Sequence, residues 1–152
     1  MKTLATLLVA GMFLMPAVRA RDADDVKAAA QRYYAEINSE DANALIQLRV
    51  AGSTGFPADG GLLQRFDSLE ERRKNQQAVF DAGLNYNLQA RHIDVSVYGN
   101  LTALGTWYAV GTITDPSGTT RQVNNRVTSV WVKKGGQWKL THQHISPVVL
   151  PQ

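Results

Sequence analysis

Two histidines near the C-terminus, His142 and His144, are the side chains of this sequence best suited to chemistry. Alternate residues of an extended strand share a face, so Trp138, Leu140, His142 and His144 are expected to align. Trp138 and Leu140 mark that face as the covered one, which would carry both imidazoles inward. Imidazole titrates near neutral pH and can act as acid, base or metal ligand. Three readings stay open at this point. The pair can be structural, bonded to backbone or tyrosine hydroxyls; it can bind ligand or move protons; or it can supply two ligands to a metal. A catalytic zinc needs a third protein ligand, and only His92 remains, with Asp94 as an oxygen donor. That set is incomplete, so neither metal nor cofactor is expected.

Further candidates surround this pair. Ser129 and Trp131 share one face of the preceding strand, and Trp107 lies one strand earlier. These residues read as core or as the apolar wall of a pocket. Tyr33 and Tyr34 are adjacent on a helix, about 100° apart, so one of them is expected to face inward with a polar tip. Arg126 has the parity opposite to Ser129 and reads as surface or dimer contact. Arg72-Arg73-Lys74 reads as a solvated basic run. The motifs of nucleophile elbows, P-loops, dinucleotide folds and zinc-protease helices do not occur.

The elements that must position these residues follow from periodicity. Asp22 to Asp25 can open a helix that carries Val26, Ala29, Ala30, Tyr33, Tyr34 and Ile37 at helical spacing to about Asn38. Asp41 can cap a short second helix through Ala44, Leu45 and Leu48. Gly52 to Gly61 holds four glycines and Pro57 and reads as loop or irregular strand. Ser68 and Glu71 form a capping-box pattern for a third helix that ends at Gly83. From Leu84 the period is two. Leu84, Tyr86 and Leu88 have one parity and Ile93, Val95 and Val97 the other, which predicts a β-bulge between about Gln89 and His92. Turns at Gly99-Asn100, Asp115 to Gly118 and Gly135-Gly136 divide the rest into a four-strand antiparallel meander. The expected fold class is α+β, with three N-terminal helices packed on one face of a strongly curved meander.

The first twenty residues have a basic start at Lys2, an apolar run from Leu4 to Met15 and a small-residue exit at Val18-Arg19-Ala20. A membrane-spanning helix needs about 20 apolar residues, so residues 1–20 read as a cleavable signal peptide. Residues 21–152 then form one domain, periplasmic or secreted, with no membrane anchor after cleavage. The formal charge of +3 loses Lys2 and Arg19 and becomes +1, which argues for no nucleic-acid partner. The chain has no cysteine, which excludes disulfides, cysteine nucleophiles and thiolate metal sites.

The C-terminal series Arg126-Val127-Thr128, Val130-Trp131-Val132, Gly136-Gln137-Trp138-Lys139 and His142-Gln143-His144-Ile145-Ser146-Pro147 is familiar. With Arg91 to Val95 before the Tyr98-Gly99-Asn100 turn, it resembles the SnoaL-like branch of the nuclear transport factor 2-like superfamily. It is also similar to the association domain of calcium/calmodulin-dependent kinases. The resemblance implies a cone-shaped fold with a pocket between the helices and the sheet, and a homodimer formed through the sheet. It implies a small organic molecule as partner, for which Tyr33, Tyr34, Trp107, Ser129, Trp131, His142 and His144 would line the pocket. Where the kinase domain has an acid-holding arginine, this chain has Ser129. The isomerase pattern of a tyrosine with two acids has no match among the strand residues expected to face inward. Three functions follow as expectations: a ligand binder, an isomerase, dehydratase or cyclase using His142 or His144, and a noncatalytic dimeric module that uses Leu104, Tyr108 and Val110.

Overall fold

The computed structural model describes residues 11–149, with side chains from Val18 onward. The signal-peptide expectation covers residues 1–20, of which 1–10 lie outside the described residues and 11–20 form the start of the first helix. Among the described residues no helix is long and apolar enough to cross a membrane.

Three helices precede the main meander: α1 (Gly11–Asn38), α2 (Ala42–Ile46) and α3 (Leu69–Asp81). Val26, Ala30, Tyr33, Tyr34 and Ile37 place the packed stripe of α1 against the sheet. At its end Glu40 takes a left-handed φ of 56°. The Asn38 amide then bonds both the carbonyl and the N–H of Leu88, each at 2.8 Å, which clamps the helix end to the sheet. The caps behave as their residue types require. The Asp41 carboxylate accepts from the Ala44 N–H at 2.8 Å, and Ser68 Oγ accepts from the Glu71 N–H at 3.0 Å. The Glu71 carboxylate accepts in return from the Asp67 N–H.

Six strands form one sheet: β1 (Arg49–Phe56), β2 (Gln64–Arg65), β3 (Asn85–Tyr98), β4 (Thr102–Thr114), β5 (Thr120–Lys134) and β6 (Gln137–Pro147). Their order is β2-β1-β6-β5-β4-β3. The antiparallel meander β3 to β6 agrees with the expectation, and so does the bulge in β3, between Arg91 and Asp94. The curved sheet with helices on one face is the expected α+β architecture.

The glycine-rich segment is in part an irregular strand, one of the two forms expected of it: Gly52 to Phe56 belong to β1, which runs antiparallel to β2 and parallel to β6 with a shift of register between Arg49 and Thr54. Glycine is a poor strand former in general, but a Cβ at Gly55 would come within 3.0 Å of the Gln143 carbonyl oxygen. Close approach of β1 to β6 is thus bought with a missing side chain. The core lies between the helices and the sheet, where Leu45, Phe80, Trp107, Val127, Trp131 and Leu140 are buried. Each such side chain stabilises the fold by about 1.5–3 kcal/mol.

Candidate functional site

The histidines are not where strand parity puts them. In β6 the pairing steps from Trp131↔Leu140 to Val130↔His142, so Thr141 is an extra residue in the strand. A bulge of one residue reverses which face each later side chain takes. Trp138 and Leu140 point to the helices, and after the bulge Gln143 does so, buried. His142 and His144 therefore lie on the outer face, which corrects the expectation that both enter the interior. His142 Nδ1 is 2.8 Å from Thr54 Oγ1, and the Phe56 ring packs edgewise on both imidazoles. His144 lines an open groove of about 390 Å³ with His92, Thr106, Tyr108, Arg126 and Thr128. His92, at the β3 bulge with a φ of 53°, contacts the Tyr108 ring there. Among the described residues no three His, Asp or Glu side chains gather as a metal site would require.

The other expected pocket residues do lie on the helix-covered face. Both tyrosines are buried, so the two face inward more equally than their separation on the helix led one to expect. The curved sheet embraces α1 over an arc wide enough to cover two positions 100° apart. Most of their polar atoms are satisfied by one another. Trp107 donates to the Tyr34 hydroxyl at 3.1 Å, and burial raises the pKa of that hydroxyl. Trp131 Nε1 donates to Ser129 Oγ at 2.8 Å, and Ser129 Oγ donates to the Gly105 carbonyl at 3.0 Å. A Cβ at Gly105 would come within 2.9 Å of that hydroxyl. Ser129 and Trp131 form a closed structural chain with no free donor.

Tyr33 leads elsewhere. Its hydroxyl accepts from Arg49 Nη2 at 2.9 Å, and the same nitrogen lies 3.3 Å from Gln143 Oε1. The Arg49 guanidinium stands 5.3 Å from the Tyr33 ring centre. Arg72 reaches the same interior from α3, with its guanidinium 4.4 Å over the Phe66 ring. Its burial, reinforced by the neighbouring Arg49 charge, pushes its pKa down to about 10. Ser53 is 1% exposed and lies on the Gly55–Gln143 side of β1. Arg72 therefore departs from its expected place in a solvated basic run, since its side chain is 9% exposed.

These four residues share an unusual state. Arg49 Nη1, Arg72 Nη1, Ser53 Oγ and Gln143 Nε2 are buried and have no hydrogen-bond partner among the described residues. The buried acid among the described residues, Asp22, is committed elsewhere, accepting from Lys133 Nζ and from Trp138 Nε1. Lys133 chiefly lowers the pKa of Asp22 through this bond. A buried charge without a counter-charge is costly. One sequence signal pointed at Arg72: it lies three residues after Leu69 and eight before the buried Phe80, on the packed face of α3. Arg49 had no such signal.

Residues 26–151 match the model of the SnoaL-like domain family. The chain belongs to that family. Solved structures agree on the fold. A ketosteroid isomerase-like protein from Erwinia carotovora atroseptica superposes with a TM-score of 0.72 at 17% identity, covering 85% of this chain and 98% of that one. The association domain of calcium/calmodulin-dependent kinase II from C. elegans gives 0.69 at 20% identity, covering 86% and 98%. A nuclear transport factor 2-like protein with a cystatin-like fold from Novosphingobium aromaticivorans gives 0.69 at 16%, covering 93% and 92%. A comparison with curated proteins gave no match. Identities this low establish the fold of the SnoaL-like domain and leave its chemistry to the site.

Proposed function

We propose that this SnoaL-like domain is exported and binds a small organic molecule between its helices and its sheet. The observation that carries the proposal is the set of four buried, unpartnered donor atoms on Arg49, Ser53, Arg72 and Gln143. Native proteins pair nearly all buried polar groups, so donors gathered without acceptors fit a site completed by a ligand. The aromatic rings of Tyr33 and Phe66 beside the two guanidiniums suit the apolar part of such a molecule. Binding is favoured over proton-transfer catalysis because the cluster presents donors and fixed positive charge, whereas the described residues around it include no buried carboxylate to act as base.

Native mass spectrometry of the protein recovered from the periplasm or medium of its own cells tests this. A retained mass that disappears on mild denaturation, and is absent from Arg49→Met, supports it. A clean apo protein from every preparation, with no ligand-induced rise in melting midpoint across a metabolite library, would overturn it.

A second reading has its own observation. Tyr108 is 46% exposed on the outer face, beside the half-buried Leu104 and Val110. We propose that two copies pair through this face. Light scattering should give a dimer mass for the wild type and a monomer for Tyr108→Asp; a wild-type monomer at micromolar concentration rules it out.

A further inference from the structure

We propose that the groove on the outer face of the sheet is a second binding site, for a tetrahedral oxyanion: a phosphate or sulfate group, free or carried by a small molecule.

The register of the strands assembles the parts. Tyr108, Arg126 and Ser146 lie opposite one another on β4, β5 and β6, and Thr106, Thr128 and His144 form the next row on the same face. Neighbouring strands are about 4.8 Å apart and alternate residues of one strand about 7 Å apart. Arg126, Ser146, Thr128 and His144 therefore mark the corners of a patch that one such anion can cover. The groove of about 390 Å³ opens over these two rows. The short side chains of Thr106 and Thr128 form its floor between the longer Tyr108, Arg126 and His144.

The chemistry of the lining points one way. Guanidinium, imidazole and hydroxyl groups can all donate hydrogen bonds, and no carboxylate lines the groove. Asp94, the acid on this face of β3, lies opposite Thr106 and two strands away from the patch, and Arg91 on the same strand lies opposite Tyr108. A metal cation would be repelled by Arg126, and a neutral alcohol would leave its charge unused. A carboxylate presents two oxygens in one plane, whereas a tetrahedral oxyanion can accept from all four corners at once.

The donors are already held. Arg126 Nε donates to Ser146 Oγ at 3.0 Å, which fixes the guanidinium plane and leaves both Nη groups unused by that bond. Such a fork matches the oxygen spacing of phosphate and sulfate. Phe56 packs edgewise on His144 with ring centres 5.4 Å apart. On the opposite wall the β3 bulge, where His92 has a left-handed φ of 53°, turns that imidazole edgewise onto the Tyr108 ring at 6.3 Å. Groups ordered before binding cost less to engage. The sheet itself separates this site from the interior cluster of Arg49 and Arg72, so the two are independent.

Amide NMR spectra of the processed protein at low ionic strength, in a buffer free of phosphate and sulfate, provide the test. The probes are inorganic phosphate, inorganic sulfate, phenyl phosphate, acetate and phenol. Phosphate or sulfate is expected to give saturable shifts centred on Arg126, Thr128, His144 and Ser146, with acetate and phenol binding more weakly. Arg126→Gln should weaken the anion about fivefold or more, the loss of a charge-assisted contact at a partly solvated site. Should that variant fail to fold, Thr128→Val removes one donor at nearly constant shape and should weaken the anion about twofold or more. Tighter binding of phenyl phosphate than of inorganic phosphate assigns an ester whose ring rests by Tyr108, and equal binding assigns the free anion. Absence of saturable shifts in the groove for every probe overturns the proposal, and so does an affinity that both variants leave unchanged. Acetate binding as tightly as phosphate overturns the tetrahedral assignment. Shifts confined to Arg49, Arg72 and Gln143 overturn the outer site while leaving the interior reading in force. Groove shifts in a protein that retains no interior ligand support the outer site alone.

Discussion

Arg72→Met should make the ligand-free protein more stable, an outcome opposite to that of most buried substitutions. Burial and the Arg49 charge depress the Arg72 pKa from its ordinary value to about 10. One pKa unit corresponds to about 1.4 kcal/mol, so holding this charge inside costs roughly 3 kcal/mol. A base with a depressed folded pKa releases its proton more readily when folded. The cost is thus fully present below pH 10 and is relieved as the pH rises toward the ordinary arginine range. Against it stands the contact with Phe66, worth about 1–2 kcal/mol when desolvated. Methionine retains a flexible apolar side chain that can pack on the same ring. The net gain is about 1–2 kcal/mol at pH 7, or about 3–8 °C in melting midpoint for a domain of this size. Thermal unfolding followed by circular dichroism in a buffer without carboxylate or phosphate reads this directly. A small molecule that binds this interior should then raise the wild-type midpoint according to its concentration relative to Kd, and leave the variant unchanged. A variant that melts well below the wild type without ligand would show that Arg72 has a stabilising partner and is structural, and the account of the buried charges would be wrong.

Other substitutions separate the interior from the outer face. Ser129→Ala leaves the Trp131 indole N–H buried without its acceptor and should cost about 1–3 kcal/mol in urea unfolding; an altered ligand affinity at unchanged stability would instead restore Ser129 to the pocket. His144→Ala, on the outer groove, should shift stability by no more than about 0.5 kcal/mol and leave ligand-induced stabilisation intact. Loss of that stabilisation would place the ligand on the wrong side of the sheet. Asp22 has a lowered pKa, chiefly through its bond to Lys133, so it contributes stability above about pH 4 that is lost as the pH falls through its folded value. Asp22→Asn should lower the midpoint by several degrees at pH 7 and by progressively less toward pH 3; equal lowering at both pH values would mean the carboxylate charge is irrelevant.

The division between what was readable in the sequence and what was not has a physical basis. Caps, turns and the β3 bulge are local: Ser68 with Glu71 and the parity change between Leu88 and Ile93 each lie within a few residues, and each was legible. The β6 bulge left no such mark. Thr141 and His142 carry no apolar alternation to break, and Gln143, a polar residue at the buried position, hid the change of face. A polar residue at an apolar position normally reads as solvent-facing, so the histidines beside it inherited the wrong side. The same inversion concealed the site. Arg49 and Gln143 are residue types that sequence patterning assigns outward, and they lie inward because β1 pairs with β6 across some ninety residues of chain, while Arg72 reaches the interior from the packed face of α3. Folding that places two arginines and a glutamine inside works against stability. It persists where something outside the chain completes those groups, which is the role the proposed ligand would fill for the four unpartnered atoms.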